Sequence, residues 1–105
     1  MKEIALQIIK YYGLEHQLRK LNEEYFELQE AITIHNLKKS VEYEIPLTEI
    51  IGTKEHIIEE LGDVRLVLLQ IQSFYEITDE EIEKVMDFKA YRTIGGINGN
   101  KGKNN

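Results

Sequence analysis

Apolar residues recur at steps of three and four over most of this chain, and that period predicts helices. Ile4, Ile8, Ile9 and Tyr12 fall on one face of a short helix over 2–12, which Gly13 ends. From Leu14 a stronger stripe of Leu18, Leu21, Tyr25, Leu28 and Ile32 runs to about His35. The period is lost over 37–53, which holds Gly52 and the single proline, Pro46; this stretch is expected as a loop with a short extended piece or helical turn at 41–45. A connection of that length in a small domain is more often functional or an insertion than filler. Helical order returns over 54–75, with Ile57, Leu61, Val64, Leu68, Ile71 and Tyr75 in one stripe that Val67 and Phe74 widen. A helix apolar on more than one side is either central in a bundle or half of a subunit interface. Thr78 and Glu81 read as a capping box opening a last helix that reaches about Arg92, and the Gly, Asn and Lys content of 95–105 predicts a disordered tail. The expected fold is all-α, with four helices in one domain over 1–94.

Length supports that picture: 105 residues make one small core, near the size at which a second copy helps to bury surface. The absence of cysteine excludes disulfides and thiolate metal sites, so that any metal must be held by oxygen or imidazole, which favours Mg²⁺ or Mn²⁺ and suits a cytoplasmic protein. A net charge of -6 works against attraction to nucleic acid. The first residues, with an acid at Glu3 and no small-residue cleavage site, do not read as a signal peptide, and no apolar run approaches the roughly 18 residues of a membrane span. Neither nucleic acid nor membrane is an expected partner.

The charges themselves carry the chemistry. Glu23, Glu24 and Glu27 repeat, with the same spacing, as Glu59, Glu60 and Asp63. Acids at i, i+3 and i, i+4 share one helix face, where each like-charged pair costs about 0.2–0.5 kcal/mol. A single such pair is normally a solvated helix face. Two identical clusters on separate helices, each beside an apolar stripe, favour a divalent metal site in which Glu24, Glu27, Glu60 and Asp63 converge. Mg²⁺ keeps waters or takes phosphate oxygens in its remaining positions, and it lowers the pKa of a bound water.

These two motifs on helices of a small all-α chain resemble the MazG-like nucleoside triphosphate pyrophosphohydrolases, relatives of the dimeric dUTPases and phosphoribosyl-ATP pyrophosphatases. The resemblance covers about 14–92. It implies a four-helix bundle, and the apolar excess of 54–75 suggests completion by oligomerisation into a homodimer or homotetramer. It also implies Mg²⁺-dependent hydrolysis of a (d)NTP to the (d)NMP and pyrophosphate by a metal-activated water. Glu24, Glu27, Glu60 and Asp63 match the family's metal ligands. Glu23 and Glu59 fit supporting catalytic roles: ordering a ligand, binding a second metal or accepting a proton from water. Lys89 and Arg92 fit the place of phosphate ligands, although cations near a helix C-terminus account for them equally well. The stretch between Glu27 and Glu60 is longer than in compact members, which marks 37–53 as an insertion. An asparagine common in the last helix of such enzymes has no counterpart, since Met86 and Asp87 precede Lys89.

Other chemistries find no support. His16, His35 and His56 are isolated and read as surface or core-edge residues, there is no Gly-rich phosphate loop, and no nucleophile sits in a recognisable triad. Tyr25, Phe26 and Tyr43 are candidates for a base pocket, with core packing as the simpler account. Gly62, inside the second motif, is either a tolerated mid-helix glycine or a point of close helix approach. The competing function is a non-catalytic interaction module whose acidic face binds a basic partner.

Overall fold

The computed structural model describes residues 1–40 and 51–103, and among these the chain is helical with no strand. The helices are α1 (Lys2–Tyr12), α2 (Leu14–Ser40), α3 (Lys54–Phe74) and α4 (Asp79–Lys103). They fall into two compact units, Met1–Tyr75 and Glu76–Asn105. The turn or extended piece expected at 41–45 lies outside the described residues, as does Tyr43.

Local chemistry sets the boundaries in the first unit. Gly13, at φ 92°, donates its N–H to the Ile9 carbonyl at 2.8 Å and ends α1 in a region of φ that favours glycine. The chain enters α2 at once, with the Gln17 N–H donating to the Gly13 carbonyl at 3.1 Å. Thr53 caps α3, its hydroxyl accepting from the His56 N–H at 3.1 Å. Before it, Gly52 has φ 83°, and a Cβ there would lie 2.7 Å from Ile34 Cγ2, so both backbone angle and space demand glycine.

Two ends run further than the apolar period predicts. α2 continues past His35 to Ser40, with Lys38 and Lys39 in its last turn, where positive charge complements the helix dipole. In the second unit, α4 opens as expected, with the Glu81 N–H donating to Thr78 Oγ1 at 3.1 Å. It then continues past Arg92 to Lys103, so that 95–103 is helical where composition predicts disorder. Among the described residues a Cβ added at Gly95, Gly96 or Gly99 would meet nothing within 4 Å, and each interior glycine costs a helix roughly 1 kcal/mol.

The core of the first unit is small: Ala5 and Ile9 from α1, Ala31 from α2 and Val67 from α3. Three polar side chains, Gln17, Glu24 and Gln70, are buried to the same degree. This moves the inner face of both long helices away from the predicted stripes. On α2 the buried line is Gln17, Glu24 and Ala31, flanked by half-buried Leu21 and Leu28, while Leu18, Tyr25 and Ile32 face solvent. On α3 it is Val67 and Gln70 that are covered, while Leu61 and Leu68 remain 44% and 48% exposed. Hydrophobicity alone favours the Leu18–Tyr25–Ile32 edge. The polar edge enters the contact instead, with Gln17 finding a partner across it in Gln70.

Those partners fix the relation of α2 to α3. Gln17 Nε2 donates to Gln70 Oε1 at 2.6 Å near one end, the four acids meet in the middle, and His35 Nδ1 donates to the Gly52 carbonyl at 2.8 Å near the other. Numbers rise along α2 as they fall along α3, so the two helices are antiparallel.

Candidate metal centre

The i, i+3 spacing places Glu24 and Glu27 on one face of α2 and Glu60 and Asp63 on one face of α3. Because these faces meet, one carboxylate oxygen from each of the four residues lies within 4.8 Å of the other three. Glu24 is the most deeply placed, at 5% exposure. Its Oε1 pairs with Lys20 Nζ at 3.1 Å, while its Oε2 is buried without a hydrogen-bond partner. Glu60 repeats the arrangement: Oε1 lies 3.3 Å from His56 Nε2, and Oε2 is buried without a partner. On each helix, one carboxylate thus has one oxygen beside a donor from four residues earlier and a second oxygen that is buried without a hydrogen-bond partner.

A buried, unpaired carboxylate oxygen is costly, and two of them facing two further acids ask for a counter-charge. Lys20 is one cation among four carboxylates. The electrostatic strain shows in the titration of the group. Burial, and then the charge of Glu24, push the Asp63 carboxyl above its ordinary pKa. Glu27 keeps contact with solvent, yet desolvation followed by the charges of Glu24 and Glu60 raises it in the same direction. The bond to Glu24, and then its charge, raise Lys20. Four oxygen donors around one point, two of them buried and unsatisfied, fit a hard divalent cation.

The pH dependence of stability follows from these shifts. Well below the ordinary carboxylate pKa of about 4, Asp63 and Glu27 are protonated in both folded and unfolded chains and contribute no difference. As pH rises through the window between that value and their raised folded values, the native state must release protons it holds more tightly than the unfolded chain does. Stability therefore falls across the window, and the loss is complete above it. Thermal unfolding of metal-free protein should show this fall, and Asp63→Asn should flatten it; an identical slope in the variant would show that Asp63 carries no such strain.

Glu23 and Glu59 are exposed and do not belong to the group of four. Lys89 and Arg92 lie on α4, in the second unit, and both are exposed. There the Arg92 guanidinium sits 5.8 Å from the centre of the Phe88 ring, and the Lys89 carbonyl accepts from Thr93 Oγ1 at 2.8 Å. A Cβ on Gly62 would meet nothing within 4 Å, so close helix approach is not the reason for that glycine.

Beside the acids, a cleft of about 280 Å³ opens between α1, α2 and α3, with Tyr12, Gln17, Lys20, Glu24, Asp63 and Gln70 among its walls. The Tyr12 ring stacks on His16 with centroids 5.0 Å apart, and His16 Nδ1 is 2.7 Å from Gln17 Oε1. Tyr25 and Phe26, the sequence candidates for a base pocket, are 53% and 72% exposed and do not line this cleft. Periodicity misses Gln17 and Gln70 because they are polar, although each stands seven residues from an acid of the site. Lys20 and His56 are missed as well, yet both lie four residues before a buried glutamate, so the repeated motif extends one turn further back.

No helix among the described residues is long and apolar enough to cross a membrane. No protein-family model, curated protein or solved structure matches this chain.

Proposed function

We propose that this chain is a Mg²⁺-dependent nucleoside triphosphate pyrophosphohydrolase of the MazG-like type. The observation that carries the reading is the convergence of Glu24, Glu27, Glu60 and Asp63, with the second oxygens of Glu24 and Glu60 buried and unpartnered. These four residues would hold the cation. When bound, Mg²⁺ supplies charge neutralisation for a polyphosphate and a water of lowered pKa.

In this reading the cleft beside the acids receives the nucleoside, and Lys20, at its edge, adds positive charge close to the phosphates. Water attacks the α-phosphorus, the bond to the bridging oxygen of the β-phosphate breaks, and the products are the NMP and pyrophosphate. Glu23 or Glu59, solvent-facing and one residue before a ligand, accepts the proton that water releases. Lys89 and Arg92 belong to the second unit, and a phosphate-binding role for them rests on the family resemblance alone. The exposed apolar edges, Leu18, Tyr25 and Ile32 on α2 and Leu61 and Leu68 on α3, support an oligomer, at least a dimer.

The competing reading, an acidic face that docks a basic partner, draws on the solvent-facing charge of Glu27 and Asp63 but leaves the buried, half-unsatisfied carboxylate of Glu24 unexplained. The test is incubation of the protein with Mg²⁺ and each of the common, deoxy and modified NTPs, with detection of pyrophosphate. Release of pyrophosphate from at least one of them is expected. No turnover of any, together with undiminished Mg²⁺ binding in Glu60→Gln, would overturn the proposal.

A further inference from the structure

A chain of polar contacts leads from the opposite helix to Glu60. His35, on α2, donates from Nδ1 to the Gly52 carbonyl at 2.8 Å. The N–H of the same Gly52 donates to His56 Nδ1, a long contact of 3.4 Å. A backbone N–H can only donate, so Nδ1 of His56 must be the unprotonated nitrogen, and the ring proton sits on Nε2. Nε2 lies 3.3 Å from Glu60 Oε1. His56 is anchored in addition through its own N–H to Thr53 Oγ1 at 3.1 Å, and the glycine between the two imidazoles is fixed by its positive φ and by the space Ile34 leaves.

We infer that His56 is a positioning residue for the metal centre: set in one tautomer by the Gly52 N–H, it ties up Oε1 of Glu60 so that the buried Oε2 faces the cation. The inference rests on the metal-site reading above. Two independent observations support it. Oε2 is the oxygen left buried without a partner. On α2, Lys20 does the same for Glu24, pairing with Oε1 from four residues earlier and leaving Oε2 unsatisfied. A donor one turn before each buried ligand does the orienting that outer groups commonly do for ligating carboxylates.

The experiment measures Mn²⁺ affinity by EPR on the full chain, with helix content followed by circular dichroism, for wild type, His56→Leu and His56→Gln. Leucine keeps bulk but cannot donate, whereas glutamine carries an amide N–H that reaches a carboxylate four residues on. The expected result is binding weakened about 10–100-fold in His56→Leu and largely restored in His56→Gln, with no directly bound nitrogen in the wild-type spectrum. Equal affinity in wild type and His56→Leu would overturn the inference and leave the metal site standing. A nitrogen coordinated to Mn²⁺, or equal loss in both variants, would overturn it in favour of a role particular to imidazole. Absence of Mn²⁺ binding in the wild type would remove the metal reading and this inference together.

Discussion

Glu24→Gln should raise the melting temperature of the metal-free protein and, if the four acids hold Mg²⁺ as proposed, abolish the further rise expected of the wild type on adding it. The two halves have one cause. In the metal-free fold Glu24 is buried beside Glu27 and Asp63, whose carboxyls its charge pushes upward, and one of its oxygens has no partner. The amide keeps an acceptor for Lys20 and removes a negative charge from a crowded, desolvated place, so the apo fold gains. It also removes a ligand. On the proposed reading, wild type at 100 times the Mg²⁺ dissociation constant should gain about 2.7 kcal/mol from binding, and the variant little of it. Pyrophosphate release should fall by at least about 100-fold, since even the groups that only orient ligands are worth 10–100-fold. Thermal melts with and without Mg²⁺ check the first half, and initial rates check the second. A variant that is less stable without metal, yet still stabilised by it, would mean that Glu24 is a structural acid.

The largest loss of stability should come from Ile9→Ala, at about 2–5 kcal/mol. Ile9 has no exposed surface and, among the described residues, is the largest side chain so covered, with Ala5, Ala31 and Val67 the other buried apolar residues. With so few apolar groups inside, the surroundings have little with which to refill the space. α1 also forms a wall of the cleft through Ile8 and Tyr12, so in the proposed enzyme its loosening should raise KM before it touches metal affinity. Urea unfolding measures the stability change; a loss below about 1 kcal/mol would show that α1 contributes little to the fold.

The sequence announces some of this arrangement and hides the rest for identifiable reasons. The four acids are legible because a repeated i, i+3 and i, i+4 spacing can act only on one helix face, and the structure does bring Glu24, Glu27, Glu60 and Asp63 together. Gly13 and Thr53–Lys54 mark helix ends by backbone chemistry that any reader of sequence can use. The inner face of α2 is not legible in the same way. Leu21 and Leu28 belong to two adjacent stripes, and only the partner helix decides whether Leu18 or Gln17 completes the buried one. His56 is silent because a base four residues before an acid is an ordinary surface pair until its carboxylate is seen to be buried. The continuation of α4 to Lys103 opposes the helix propensity of its glycines and could not have been read from them.

The glutamine pair has a bearing on assembly of the chain. Gln17 stands seven residues before Glu24, and Gln70 seven after Asp63, so the amide contact and the acid contact lie two helical turns, about 10 Å, apart along one seam. Were the helices to slide by one such step, Glu24 would face Gln70, and Gln17 would run beyond the end of α3 with its amide unmatched. The pair acts as a key that admits one alignment. It lets the fold hold four mutually repelling carboxylates at a single point without a counter-ion to gather them.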